Sequence, residues 1–238
     1  GRAETDDEKA ALRAWVDAGH LVANHAFSHP NPDSVSLEAY LADIEKNEPV
    51  LAAVAGDSPD AQRRWRVFRF PYLRQGSSLE SRTKIRGWLD DRGYRVAEVT
   101  VDFSDWAYSD AFARCADATN TATIEAMSQS FIDNAEAALA WSDAAACTLL
   151  GRPIKHVLLL HFGAFTAKRL DALLSTYEKA GARFISLDEA LSDEVYAREP
   201  DSVKSFRGPL LYQIRRSRGV LAPSIPMTAD PVLEALCR

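Results

Sequence analysis

Near the amino terminus, apolar residues recur every three to four positions among polar ones, which is helical spacing. Leu12, Trp15 and Val16 form an apolar stripe that follows an acidic turn at residues 6–8, and Gly19 stands where the stripe stops. Carboxylates are favoured in the first turn of a helix, and glycine is favoured just beyond its end. The pattern therefore predicts a helix, followed over residues 19–24 by a turn into a short buried strand, which is the first predicted strand.

A second apolar stripe extends over residues 37–54 with the same helical spacing. Ser36 is the expected N-cap of this helix, because its hydroxyl can accept a hydrogen bond from a free backbone N–H. Pro49 lacks a backbone donor, so we expect it to kink or restart the helix.

Further segments alternate between the two types of regular structure. Strands are predicted over residues 66–70, 94–101, 157–160 and 183–186, and helices over 79–92, 111–146, 166–180 and from 187 onward. The continuous apolar run at residues 157–160 is typical of a strand buried on both faces. This alternation predicts parallel βαβ units, in a barrel or a doubly wound sheet. We assign residues 1–197 to this domain and residues 198–238 to a solvated carboxy-terminal extension that packs along the domain.

Composition narrows the class of protein. The 238 residues are enough for one sizeable domain with a core, and the net charge of -6 argues against a nucleic-acid surface. No apolar run is long enough to span a bilayer. Cys115, Cys147 and Cys237 show no metal-type spacing, and a Cys115–Cys147 disulfide is an open alternative in an oxidising compartment.

Candidate chemistry begins at His25 and His29, which stand four residues apart where the first predicted strand becomes a loop. Pro30 disfavours helical geometry at His29, so the two rings do not sit within a helix. Neutral imidazole suits Zn²⁺ and neighbouring divalent ions, which makes the pair a candidate metal site. The alternative is two unrelated surface histidines.

Reactive side chains also follow the other predicted strands. Arg69 to Tyr72 close the second strand, Asp102 to Trp106 follow the third, and His161 follows the fourth. Chemistry in parallel α/β folds gathers at the carboxyl ends of strands. Four such endings in chain order are hard to explain by packing alone.

These segments resemble four motifs of the polysaccharide deacetylases of carbohydrate esterase family four. The second, third, fourth and fifth motifs of that family match residues 24–29, 69–72, 102–106 and 159–161 in the right order. The resemblance implies a distorted (β/α) barrel in which His25 and His29 are metal ligands and His161 is the general acid.

Other residue roles are implied by the same resemblance. Arg69 and Asp105 would form an ion pair that orients the site, with a structural salt bridge as the alternative. Tyr72 would form a wall of the groove and offer its backbone N–H to the oxyanion. Trp106 and Leu159 would form the apolar floor beneath the acetyl methyl group, with a core aromatic as the alternative for Trp106.

The first motif of the family, which supplies the catalytic base and a third metal ligand, is absent. Asp6 and Asp7 mimic it superficially, but no apolar strand leads into them, so we interpret them as helix N-terminal carboxylates far from the metal. Two alternatives follow. The chain is either a fragment whose barrel lacks its first strand or strands, which we favour, or a domain without the base.

The predicted function is therefore a metal-dependent deacetylase that removes N-acetyl groups from a polysaccharide or related amide. Zn²⁺ is the expected metal, with Co²⁺, Ni²⁺ or Mn²⁺ as alternatives, and this chain alone is expected to be nearly inactive. The resemblance favours an extracytoplasmic location, while the oligomeric state stays open. The alternative function is a noncatalytic glycan-binding module of the same fold.

Overall fold

The computed structural model describes residues 3–115, 121–197, 207–220, 233 and 236. The helices are α1 Asp6–Asp17, α2 Leu37–Lys46, α3 Glu48–Ala55, α4 Pro59–Trp65, α5 Leu79–Asp91, α6 Trp106–Cys115, α7 Thr121–Leu150, α8 Ala164–Lys179, α9 Leu187–Leu191, α10 Glu194–Ala197 and α11 Leu210–Arg218. Strands β1 Val67–Phe68 and β2 Arg95–Val96 pair in parallel. The described chain is thus mostly helical, with α/β character.

The described residues fall into two compact units. One contains residues 3–98 with 207 and 208, and the other contains residues 99–197 with 209–220, 233 and 236. This division does not test the predicted boundary at residue 197, because residues 198–206 lie outside the described part of the chain.

The first unit is built around β1 and the residues that pair with it. β1 lies between β2 and Asn24, which forms a parallel bridge with Phe68. Helices α2 to α5 contribute buried side chains to one apolar cluster that includes Phe68 of β1, and α1, which buries no side chain, contacts α3. The members that are almost fully buried include Tyr40, Ile44, Trp65, Phe68, Ile85 and Leu89.

Helix boundaries in the first unit follow the capping residues. Thr5 and Glu8 form a reciprocal capping box at the start of α1, which confirms the acidic first turn. The Ser36 hydroxyl accepts from Ala39 N at 3.2 Å and caps α2. Helix α2 ends before Pro49, which stands at the start of α3, so the predicted restart is confirmed.

The described part of the second unit is mainly helical. Val101 and Leu158 form a parallel bridge, and α6, α7 and α8 pack together around Phe131 and Phe165, which are fully buried. Helix α11 packs against α7 and buries Leu211 and Ile214. Residues 210–218 of the predicted extension therefore form a helix packed against this unit.

The predicted strands are shorter than the sequence pattern indicates. Residues 157–160 contribute one bridge at Leu158, and residues 183–186 contain no strand. A strand requires a neighbour that accepts its backbone hydrogen bonds, and an apolar pattern cannot supply one. Phe184 is 47% exposed. The two short parallel strands do not by themselves make a barrel.

The structure decides whether Cys147 forms the disulfide considered above. Cys147 is a free, exposed thiol. It is therefore not bonded to Cys115, which is buried at the end of α6, and the Cys115–Cys147 alternative is wrong. Cys237 lies outside the described residues.

Candidate functional site

The His25–His29 segment begins at a buried asparagine that belongs to the sheet. Asn24 is fully buried, its N–H donates to Val67 O at 2.8 Å, and its carbonyl accepts from Arg69 N at 3.1 Å. This parallel pairing fixes where the strand ends. His25 is the next residue, so the backbone pairing determines where its side chain starts.

The Asn24 side chain saturates its hydrogen-bonding capacity inside the core. Its Nδ2 donates to Ile44 O at 3.0 Å and to the Tyr94 hydroxyl at 2.9 Å. Its Oδ1 accepts from Ala26 N at 3.0 Å and from Asn47 Nδ2 at 3.1 Å. Burial raises the pKa of Tyr94, which keeps its hydroxyl protonated at neutral pH. Asn24 therefore has a structural role beside the site.

His25 is held in one tautomer by a backbone group. Its Nδ1 lies 2.7 Å from the carbonyl oxygen of Arg69. A carbonyl only accepts, so Nδ1 must carry the proton and Nε2 keeps its lone pair. Burial lowers the pKa of His25 to about 4, although the bond to the Arg69 carbonyl acts in the opposite direction. At neutral pH the ring is therefore an uncharged donor of the kind that binds metals.

His29 lies beside His25 and beside the third motif. The centroids of the two imidazole rings are 4.8 Å apart, in an edge-to-face arrangement. The Tyr72 ring packs edge-on to His29 with a centroid distance of 4.5 Å. Tyr72 is 59% exposed and has a φ of 57°. The structure thus brings together His25, His29 and Tyr72, with the backbone of Arg69 beneath them.

The donor set fits part of a metal site. Two neighbouring imidazoles suit Zn²⁺ and related ions, but catalytic zinc sites have three protein ligands. Across the described ranges of the chain, no group of three or more His, Cys, Asp or Glu side chains could hold a metal ion. Asp6 and Asp7 are exposed first-turn carboxylates of α1, as predicted.

The loop between the two histidines is held by a residue that the sequence analysis missed. Asp43 on α2 accepts hydrogen bonds from Phe27 N at 2.8 Å, Ser28 N at 2.9 Å and Ser28 Oγ at 2.8 Å. The only signal in the sequence is a carboxylate on an otherwise apolar stretch of the helix beside Ile44. That signal does not specify a partner.

His161 and Asp105 form a close pair in the second unit. His161 Nδ1 lies 2.8 Å from Asp105 Oδ1, and the backbone N–H of His161 donates to Asp105 Oδ2 at 2.8 Å. Thr166 on α8 donates its hydroxyl to the same Oδ2 at 3.0 Å. Asp105 is fully buried, whereas the His161 side chain is 44% exposed. The buried Asp105 carboxylate thus contacts both the backbone N–H and the Nδ1 atom of His161, whose ring stays accessible to solvent.

The remaining predicted residues are placed as follows. Trp106 begins α6 and is 48% exposed, so the alternative of a core aromatic is wrong. Leu159 is nearly buried, and its N–H donates to Val101 O at 2.9 Å. Arg69 and Asp105 belong to different units, and their pairing stays a prediction.

Comparison with known proteins agrees with the motifs. Residues 1–87 match the family model described as polysaccharide deacetylase. A peptidoglycan-N-acetylglucosamine deacetylase of Bacillus cereus is 33% identical over 95 residues, which is 40% of this chain and 30% of that protein. The chain thus spans about a third of the length of that curated relative. The family-model match includes the second and third motifs.

Solved structures extend the likeness in fold. Wild-type BA3943, a CE4 family pseudoenzyme from Bacillus anthracis, aligns with a TM-score of 0.51 and 19% identity over 78% of this chain and 51% of that one. A BA3943 mutant with restored enzymatic activity aligns with the same score over 53% of its chain. The chain therefore resembles the polysaccharide deacetylases of carbohydrate esterase family four in its motifs and in the family-model match, and these solved structures show a similar fold.

Proposed function

We propose that this chain carries the metal-binding and acid parts of a hydrolase that removes N-acetyl groups from a polysaccharide or related amide. The observation that carries the proposal is the neighbouring pair of His25 and His29, in which His25 keeps Nε2 available as a ligand atom. The relatives support the reaction class, since residues 1–87 match the deacetylase family model.

His25 and His29 would hold a divalent metal, with Zn²⁺ first and Co²⁺, Ni²⁺ or Mn²⁺ as alternatives. When bound, such an ion supplies Lewis acidity and lowers the pKa of water at the site. The carbonyl of Arg69 orients the His25 ring, a role that outer partners of metal-binding histidines commonly have. Tyr72 is exposed beside His29, where its ring can contact a sugar and its N–H can donate to an oxyanion.

His161 would donate a proton to the leaving amine. Its Nδ1–H donates to Asp105, so the proton that can be transferred is the one on Nε2. The buried Asp105 carboxylate favours the charged imidazolium that a general acid must provide. Trp106 and Leu159 would form the apolar floor for the acetyl methyl, and Arg69 would act with Asp105 to orient the site.

The substrate class follows from the relatives. The matched Bacillus cereus protein is named for N-acetylglucosamine in peptidoglycan, so we propose an N-acetylated glycan and an extracytoplasmic location. The described residues contain no helix that is long and apolar enough to cross a membrane. We also propose that the strand–helix alternation is part of the distorted (β/α) barrel of this family.

A second candidate function is a noncatalytic glycan-binding module. It is favoured by one observation: within the residues that the structure describes, no third His, Cys, Asp or Glu joins His25 and His29. The fold neighbours also include a protein described as a pseudoenzyme. In such a module the exposed aromatics Tyr72 and Trp106 would contact sugar rings without cleavage.

The test compares the chain with a variant that lacks both proposed ligands, His25→Gln/His29→Gln. His20→Gln is the matched control, because His20 is an exposed histidine of the same unit. Co²⁺ uptake is followed by visible absorbance, and acetate release from an N-acetylglucosamine oligomer is measured with Zn²⁺ or Co²⁺. Acetate release is also measured for a longer protein, in which the chain is preceded by any coding segment that lies upstream in the same reading frame.

We expect one Co²⁺ per chain in the wild type and in His20→Gln, and none in the double variant. Acetate release should require both histidines. Equal release by the double variant would contradict the metal role. Oligomer binding without any release, in the extended chain as well, would favour the glycan-binding module.

A further inference from the structure

The backbone between the two proposed ligands adopts a conformation that its residues disfavour. Ala26 has a φ of 59° and His29 a φ of 57°, both in the left-handed region that residues with a Cβ rarely occupy. Ala26 is also fully buried. Such geometry persists only when the surroundings hold it, so the loop requires a restraint outside its own sequence.

Asp43 supplies that restraint. One carboxylate oxygen accepts from two successive backbone N–H groups, Phe27 N at 2.8 Å and Ser28 N at 2.9 Å. The other accepts from Ser28 Oγ at 2.8 Å. Three bonds to an ionised acceptor are individually stronger than bonds between neutral groups. All three bonds are made by the middle of the loop, between the two histidines.

Helix α2 gives Asp43 a rigid base. Its neighbours Tyr40 and Ile44 are almost fully buried in the apolar cluster of the first unit. One turn beyond Asp43, Lys46 places its ammonium group 4.0 Å from the centroid of the Phe27 ring. The side of the helix that faces the loop therefore holds Phe27 at both its backbone and its ring.

We propose that Asp43 is a positioning residue that holds the loop so that His25 and His29 present their rings as a preformed pair of metal ligands. The proposal rests on the proposed function, because the pair must bind a metal for this role to matter. Asp43 need not contact the ion. It acts through the backbone of Phe27 and Ser28 and reduces the ordering that metal binding would otherwise have to impose.

The experiment uses the full chain and four variants. Asp43→Ala removes all three side-chain bonds, and Ser28→Ala removes one. Phe27 N also donates to the backbone oxygen of residue 43 at 3.1 Å, and this bond is unaffected by the alanine. Asp43→Asn keeps an acceptor for the two N–H groups but removes the charge. Glu45→Ala is the matched control, because it removes an exposed carboxylate two residues further along the same helix.

Two quantities are measured. Co²⁺ affinity is obtained by competition with a chromophoric chelator. Amide hydrogen exchange at Phe27 and Ser28 is measured without metal, so that this readout does not depend on a loaded site. We expect Asp43→Ala to lose roughly ten-fold to hundred-fold in affinity, the usual effect of removing an outer partner of a ligand. The Ser28 amide, which donates to the Asp43 carboxylate, should exchange faster by a comparable factor.

Asp43→Asn separates positioning from simple charge attraction. If Asp43 positions the loop, the asparagine variant retains most of the affinity and amide protection, and Ser28→Ala lies between wild type and Asp43→Ala. If Asp43 acts only as a distant negative charge, asparagine is as weak as alanine and the amides stay protected. The second pattern would overturn the proposal.

Failure of the inference and failure of the proposed function give different results. A wild-type chain that binds no Co²⁺ would remove the metal site, and the role of Asp43 would fall with it. A wild-type chain that binds Co²⁺ as tightly as Asp43→Ala, with Glu45→Ala also unchanged, would refute only the positioning role. Unchanged exchange at Ser28 in Asp43→Ala would refute it as well.

Discussion

Replacing Asn24 by leucine should destabilise the first unit strongly, because the asparagine side chain makes four hydrogen bonds at a fully buried position. Leucine has a similar size and no polar atoms. The change leaves Ile44 O, Ala26 N and the Asn47 amide without this partner, while the Tyr94 hydroxyl keeps its bond to Glu48 at 2.9 Å.

The expected loss can be worked from these bonds. A buried hydrogen bond contributes about 0.5–1.5 kcal/mol net, and groups left unsatisfied in the core cost somewhat more. Four bonds therefore give a loss of roughly 2–6 kcal/mol in the free energy of unfolding. Because the Tyr94 hydroxyl keeps its bond to Glu48, we expect a loss near the middle of that range. A loss of this size is a large fraction of the stability of a typical domain.

Urea unfolding followed by tryptophan fluorescence is a suitable assay, because Trp65 is buried in the same cluster and packs against Tyr94. Asn31→Leu is the matched control, since the Asn31 side chain makes a single hydrogen bond to Asp33 N at 3.0 Å. The reasoning is refuted if Asn24→Leu costs less than about 1 kcal/mol, or no more than the control.

Three further predictions concern the two parts of the site. Gly163→Ala should destabilise the chain by about 1–3 kcal/mol in thermal unfolding, because a Cβ there would stand 2.7 Å from Ser109 Cβ; Ser109→Gly should relieve the cost, and an equal cost in that background would contradict the clash. Thr166→Val removes the hydroxyl that donates to Asp105 and should cost about 1–2 kcal/mol, whereas Thr166→Ser should recover it; equal stabilities would show that the bond contributes nothing. In metal-free protein, the free energy of unfolding should fall as the pH drops from about 6.5 to 4. The cause is that His25 has a pKa of about 4 in the folded chain, so between these pH values the unfolded chain binds a proton that the folded chain does not. An identical pH dependence of unfolding in His25→Gln would refute this.

Local signals in the sequence predicted where several helices begin and end, although α4 and α11 were not predicted and the helix predicted over residues 111–146 is in part α6 and in part α7. Thr5 and Ser36 cap helices because their hydroxyls satisfy free N–H groups within three residues, and Pro49 separates α2 from α3 because it lacks a donor. These effects act over one turn, so a single sequence contains them. The strands were overestimated for the opposite reason: residues 183–186 have strand-like composition, but pairing depends on a distant neighbour.

The motifs predicted which residues matter, but not how they are held. Asp105 was expected beside Arg69, and the contacts described for it are with His161 and Thr166, 56 and 61 residues further along. Asp43 was missed, although its carboxylate accepts three bonds from the histidine loop. Both are contacts between separate elements, and no spacing along the chain encodes them.

His25 and His161 show how the same side chain can be prepared for opposite tasks. Each imidazole donates Nδ1–H to a fixed oxygen, at 2.7 Å for His25 and 2.8 Å for His161. For His25 the acceptor is the neutral carbonyl of Arg69, and burial lowers its pKa, so the ring stays uncharged and can offer Nε2 to a metal.

For His161 the acceptor is the buried carboxylate of Asp105, and the ring is 44% exposed. A negative partner and contact with water both favour the cationic ring, which is the form that a proton donor needs. In the sequence both residues look the same, as a histidine after an apolar strand. What separates a proposed ligand from a proposed acid is the charge on the atom that accepts the Nδ1 proton, and that atom is supplied by another part of the fold.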